Sequence, residues 1–145
     1  MITFYSAKEE PYGCFSNFSP HGFELDGAYW PTSEHYFQAQ KFAGTPHEEA
    51  IRLARGPMMA ARKGRSRKRP LRADWEEVKD DVMRRAVLAK FRAHADIRAV
   101  LLATGDEVLV ENAPGDAYWG CGKDGTGLNR LVEILIETRA ILRAQ

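Results

Sequence analysis

Cysteine is scarce in this chain: Cys14 and Cys121 are the only two. They cannot build a metal site from thiolates alone and form no C-x-x-C pair, so they read as free buried thiols. A disulfide does not suit a reducing compartment. Long apolar runs are missing too, and none approaches the roughly twenty residues of a membrane span. The opening Met1-Ile2-Thr3-Phe4-Tyr5 has neither the basic stretch nor the apolar core of a signal peptide. The expected location is therefore cytoplasmic, with no membrane partner. Net charge is nearly absent, since 21 Lys and Arg stand against 20 Asp and Glu, and no bulk field draws the chain to nucleic acid. There is no H-E-x-x-H, no G-x-S-x-G, no Gly-Lys-Ser/Thr closing a glycine-rich loop and no dinucleotide fingerprint. His21, His47 and His94 show no ligand spacing. These gaps set aside metal-dependent and serine-hydrolase chemistry, and neither a metal nor a cofactor is expected.

What is present suits one folded domain. A chain of 145 residues, 44% hydrophobic and 28% charged, can bury a core and lacks the composition of a disordered segment. The N-terminal third reads as strands and turns. Ile2 to Ser6 is β-branched and aromatic. Phe23-Glu24-Leu25 and Ala28-Tyr29-Trp30 flank Asp26-Gly27, a two-residue hairpin turn in which both positions need φ > 0. Helices are expected over 32–42, 47–54, 58–63 and 97–104, with a long one opened by Asp74 and Glu77 as a variant capping box. A last helix over 128–142 would turn Leu128, Leu131, Val132, Leu135, Ile136 and Leu142 inward. Val108-Leu109-Val110 suits a buried strand. The expectation is α+β: a single, mainly helical domain over 1–145 around a small β-sheet.

Three stretches carry candidate chemistry. In the first, Pro31, Thr32 and Ser33 open a helix, and Glu34, Gln38 and Lys41 follow at i, i+4 and i+7 on one face. A carboxylate, an amide and an amine on one stripe can serve as acid/base, orienting group and nucleophile; the plainer reading is a solvated face with an ordinary helix pair. His35 lies on another face and reads as packed or capped. In the second, Arg62, Lys63, Arg65, Arg67, Lys68, Arg69 and Arg72 precede Asp74, Glu76, Glu77, Asp80 and Asp81. This is either a pair of mutually compensating surfaces or a phosphate-binding patch, because Arg forks grip phosphate in bidentate fashion. The third runs from Pro114 to Gly127, with glycines at 120, 122, 125 and 127. It leads into a helix N-terminus, which favours an anion. Its Asp116, Tyr118 and Trp119 could sandwich a flat base and catch a polar edge, or the rings could simply pack.

Taken together, Phe15-Ser16-Asn17-Phe18, the run from Trp30 to Phe42, Ala61-Arg62-Lys63-Gly64-Arg65, Arg72-Ala73-Asp74-Trp75, Asp116-Ala117-Tyr118-Trp119-Gly120 and Gly125 to Leu131 resemble the NADAR family of YbiA-like N-glycosidases, in the family's order and across nearly the whole chain. One departure is Val132, where a glycine is expected in relatives. The resemblance implies cleavage of the bond between ribose C1′ and an exocyclic amine. Its substrates would be ribosylamino-pyrimidine phosphates of early riboflavin synthesis, or ADP-ribose attached to guanine in nucleic acid; a non-catalytic NAD or ADP-ribose binding module is the rival role. By match to the family pattern, Glu34, Lys41 and Asp116 are the expected catalytic residues. Asn17, Arg62, Arg65, Trp75, Trp119 and Gly120 are the expected substrate-binding residues, with Arg72 a further phosphate contact. A sugar on an exocyclic amine can open to an imine, so Lys41 could exchange with the leaving amine if burial lowers its pKa. The other route uses Glu34 and Asp116 as a glycosidase carboxylate pair.

Overall fold

The computed structural model describes all residues, 1–145. Along the chain lie β1 (Ile2–Phe4), a 3-10 turn (Tyr12–Phe15), β2 (Phe23–Leu25), β3 (Ala28–Trp30), α1 (Ser33–Gln40), α2 (Pro46–Arg52), α3 (Pro57–Arg65), α4 (Trp75–Ala93), α5 (Ala95–Ala103), β4 (Leu109–Glu111) and α6 (Arg130–Arg143). The chain is α+β and mainly helical. The small sheet expected from the sequence is two separate pairs, β1 with β4 and β2 with β3. No helix is long and apolar enough to cross a membrane. The chain divides into two compact units, Pro20–Ala93 and Met1–Ser19 with His94–Gln145.

In the unit Pro20–Ala93, β2 and β3 form an antiparallel hairpin that pairs Phe23 with Trp30 and Leu25 with Ala28. Asp26 and Gly27 take φ of 54° and 78°, the left-handed geometry the turn requires. Asp26 also accepts the Tyr36 hydroxyl at 2.7 Å and an ion pair from Arg85, which ties the turn to α1 and α4. α1 begins where expected: Thr32 is its N-cap, and its Oγ1 accepts the His35 amide at 3.1 Å. Every residue of α1 is buried, because α2, α3 and α4 all pack against it. Tyr36 is fully buried with its ring edge-on to Trp30 at 5.0 Å. His35 is held at both ring nitrogens, by Thr32 Oγ1 at 2.8 Å and the Ala54 carbonyl at 3.0 Å, and burial lowers its pKa. It is the packed, capped residue that the sequence indicated.

α3 starts at Pro57, a residue suited to a first helical turn. α4 starts at Trp75, and the Asp74 carbonyl takes the Glu77 and Val78 amides. The Asp74 carboxylate does not cap α4; it pairs with Arg72 through Nε at 2.6 Å and Nη2 at 3.1 Å. A bidentate guanidinium outcompetes a single backbone amide for that group.

In the other unit, β1 runs parallel to β4, with Ile2 opposite Leu109 and Phe4 opposite Glu111. α6 turns Leu131, Val132, Leu135 and Leu142 into the core. Two residues expected inside are not: Leu128 precedes the helix and is 60% exposed, and Ile136 is 38% exposed. Ile136 falls on the side of α6 opposite the Leu131–Leu135–Leu142 row. Arg139 is buried and donates through Nη1 to Thr104 Oγ1 at 2.8 Å and to the Glu107 carbonyl at 3.2 Å.

Candidate active site

The stripe on α1 is not a solvated face. Glu34 is 7% exposed, Gln38 3% and Lys41 7%. Burying three polar side chains within two turns is unfavourable unless each has a partner, and most of the partners are visible. Gln38 Nε2 donates to Glu34 Oε2 at 2.7 Å. Lys41 Nζ donates to the Gly64 carbonyl in a long contact of 3.5 Å, and Arg67 Nη1 donates to the same oxygen at 2.9 Å. The Lys41 ammonium also lies 5.7 Å from the Phe37 ring centroid and 5.9 Å from that of Trp75, within cation–π range. These two rings pack on each other at 5.1 Å.

The electrostatics of Lys41 follow from that setting. Burial pushes its pKa down from 10.5 to about 8; Arg67, Arg65 and Lys79 push the same way, and the Glu34 carboxylate opposes them. A surface lysine is almost wholly protonated at neutral pH, whereas this one is close to the range in which an amine can act as a nucleophile.

The remaining expected residues of this unit take three different places. Trp75 is 5% exposed, so it forms a wall beside Lys41 and not an open stacking platform. Arg62 and Arg65 are exposed on the last turn of α3, with their charge facing solvent. Arg72 is turned away from the role expected of it: Asp74 occupies its fork, and Nη1 is directed to the Gln40 carbonyl at 3.4 Å.

Asn17, Asp116, Trp119 and Gly120 belong to the other unit. Asn17 is half-buried just after the 3-10 turn. Asp116 Oδ1 accepts the backbone amides of Tyr118 at 3.0 Å and Trp119 at 2.8 Å, closing a tight Asx-type loop. The Tyr118 and Trp119 rings meet at 79° and 4.8 Å. That edge-on contact is not the parallel pair of faces needed to sandwich a base. Gly120 is required by space: a Cβ there would sit 2.7 Å from that of Ala113.

The helix N-terminus after this loop is not an anion site either. The amides of Leu128, Asn129, Arg130 and Leu131 donate to the carbonyls of Ala117, Gly120, Tyr118 and Trp119, and those of Val132 and Glu133 donate to Asn129. The donors that would hold an anion are already engaged.

Sequence reasoning missed two residues here. Arg67 stood unremarked within the basic run, and Gly64 was one letter of a matching motif. The available signal was a glycine in the last turn of a helix, where propensity disfavours it. No three His, Cys, Asp or Glu side chains gather as a metal-holding group.

A family model described as the NADAR domain matches residues 3–143. Among similar proteins, the N-glycosidase Npun_R5314 of Nostoc punctiforme is 52% identical over 146 residues, which cover 99% of this chain and 94% of that protein. The N-glycosidase YbiA of Escherichia coli K12 is 54% identical over 139 residues, covering 96% of this chain and 86% of that protein. The riboflavin biosynthesis protein PYRR, chloroplastic, of Zea mays is 43% identical, with 97% of this chain matching 25% of that longer protein. The solved NMR structure of Escherichia coli YbiA superimposes with a TM-score of 0.91 at 53% identity, covering 99% of this chain and 84% of that one.

Proposed function

The chain belongs to the NADAR family of YbiA-like N-glycosidases, and from that premise we propose that it hydrolyses the bond between ribose C1′ and an exocyclic amine in ribosylamino-pyrimidine phosphates, releasing ribose 5-phosphate and a free aminopyrimidine. The similarity to a protein named for riboflavin biosynthesis supports this choice of substrate. The observation that carries the chemistry is Lys41: a buried amine with a pKa of about 8, on the same helix face as the buried carboxylate of Glu34.

In the proposed sequence the substrate's exocyclic nitrogen expels the ring oxygen from C1′, and Glu34 protonates that oxygen. Neutral Lys41 Nζ adds to C1′ of the resulting iminium. The aminopyrimidine leaves with a proton, and C1′ remains as an imine on Lys41. Water then adds to C1′, activated by Glu34, and collapse of the carbinolamine returns the Lys41 amine and the open-chain aldehyde of ribose 5-phosphate. The net reaction consumes one water. Arg62 and Arg65 attract the phosphate, and Trp75 with Phe37 keeps the amine desolvated. For Asn17, Trp119 and Gly120 the proposed role is substrate binding, and for Asp116, through Oδ2, it is proton transfer.

A second reading, removal of ADP-ribose from guanine in nucleic acid, draws on the exposed charges of Arg62, Arg65, Arg67 and Lys68. Incubation with both substrates, followed by mass analysis of the released base, decides between them. Release from ADP-ribosylated nucleic acid alone rejects the pyrimidine substrate, and release from neither rejects the glycosidase reading of this chain.

A further inference from the structure

Gly64 lies in the last turn of α3, and it is not among the glycines with positive φ. Alanine is the better helix former there, so the backbone does not call for glycine. The neighbouring side chain does. A Cβ on residue 64 would fall on Gln38 Oε1 and within 2.7 Å of Gln38 Cβ and Cδ. Gln38 Oε1 is buried and has no N–H or O–H partner. It faces the Gly64 hydrogen that a Cβ would replace, a weak C–H donor.

The amide is oriented by Glu34: Nε2 donates to Glu34 Oε2 at 2.7 Å, so Oε1 faces Gly64. Gly64 in turn offers its carbonyl to Lys41 Nζ. The contacts form a continuous series: Glu34 carboxylate, Gln38 amide, Gly64 α-carbon, Gly64 carbonyl, Lys41 amine.

We propose that Gln38 and Gly64 are positioning residues, a brace between α1 and α3 that fixes the Glu34 carboxylate and the Lys41 amine relative to the same point of backbone. The inference rests on the reading of Glu34 and Lys41 as the working pair. Both are flexible side chains. A lysine stem has four rotatable bonds, and a carboxylate can rotate about its last one. The brace replaces those freedoms with one glycine and one amide, and leaves the orphaned oxygen as the visible strain of doing so.

The test is a double-mutant cycle on the full chain: Gly64→Ala, Gln38→Gly and both together, with hydrolysis of the ribosylamino-pyrimidine phosphate and the melting temperature measured for each. Gly64→Ala should lower kcat about a hundredfold, the effect of a displacement of about an ångström, with KM within about threefold of the parent. In the Gln38→Gly background the same change should lower kcat by less than about fivefold, because the Cβ and the amide it displaces are both gone. Losses that multiply in the double variant, or a Gly64→Ala enzyme with parental kcat, would overturn the brace.

A second readout needs no substrate. The Gln38 side-chain amide protons should exchange slowly with solvent in the parent protein and quickly in Gly64→Ala. Equal exchange in both overturns the proposal as well. A parent protein that hydrolyses nothing rejects the proposed function instead, and the exchange comparison still decides on the brace.

Discussion

The buried stripe of α1 and the Asp116–Gly120 loop contain similar materials, a carboxylate beside aromatic rings, and use them differently. On α1 the carboxylate is met by a side-chain amide, and the amine nearby has a long contact to a carbonyl and two aromatic rings beside it. In the loop, the carboxylate oxygen Oδ1 and all five carbonyls of residues 116–120 are engaged by backbone amides of the loop and the segment that follows it. In the first region polar side chains meet one another; the second uses its polar groups to define its own shape. Regular helical hydrogen bonding is the cause. It satisfies the backbone of α1 and leaves the side chains for chemistry, whereas an irregular loop must recruit side chains to satisfy its backbone.

The comparison is broken most severely at Lys41. Lys41→Arg keeps a cation but cannot supply a neutral amine. kcat should fall by roughly 10⁴-fold or more, and borohydride added during turnover should trap a sugar on Lys41 of the parent and on no residue of the variant. Near-parental kcat with no adduct would move the chemistry away from α1.

A smaller effect is the pH dependence. Since the Lys41 pKa is lowered to about 8, the neutral amine is half-formed there, and below it kcat/KM should drop about tenfold per pH unit. The sign for stability is the same: the unfolded chain holds this proton up to about 10.5, so stability rises with pH between about 8 and 10.5. That rise should be missing in Lys41→Met when urea denaturation is followed at pH 7.5 and 9.5.

Arg65→Ala should raise KM for the phosphorylated substrate by about tenfold, as loss of one charge-assisted contact of about 1.5 kcal/mol would. Arg72→Ala should leave the affinity for ribose 5-phosphate, measured by calorimetry, within about twofold, because its fork belongs to Asp74. The reverse order would return Arg72 to the binding set.

The mildest changes probe the loop. Asp116→Asn retains an oxygen for the Tyr118 and Trp119 amides and should cost less than about 1 kcal/mol in urea denaturation, whereas Asp116→Ala should cost about 1–2 kcal/mol. A kcat for Asp116→Asn that falls a hundredfold while stability holds would show that the charge itself takes part, and the two regions would then differ less than their hydrogen bonding implies.

Local signals were legible in the sequence and distant ones were not. Asp26-Gly27 announced its hairpin, and Thr32 announced the start of α1, because turns and caps are decided by a few adjacent residues. The family pattern singled out Glu34 and Lys41, but periodicity could not distinguish a buried polar stripe from a solvated one; three helices packing on α1 decide that. Arg72 looked like any other member of a basic run until Asp74, two residues on, turned to it. Exposure of Leu128 was hidden because an apolar residue beside a helix start reads the same whether it lies inside or out. The role of Gly64 depends on a side chain 26 positions away in sequence, at Gln38.

The parallel pairing of β1 with β4 sets an order of events during synthesis. Ile2 to Phe4 leave a ribosome ahead of their hydrogen-bonding partners Leu109 to Glu111, which emerge only after all of α1 to α5. The segment Pro20–Ala93 has its local contacts available throughout that interval, whereas β1 must wait as an unpaired edge. A strand of three residues is a short template for unwanted pairing, and its brevity protects the nascent chain while it waits.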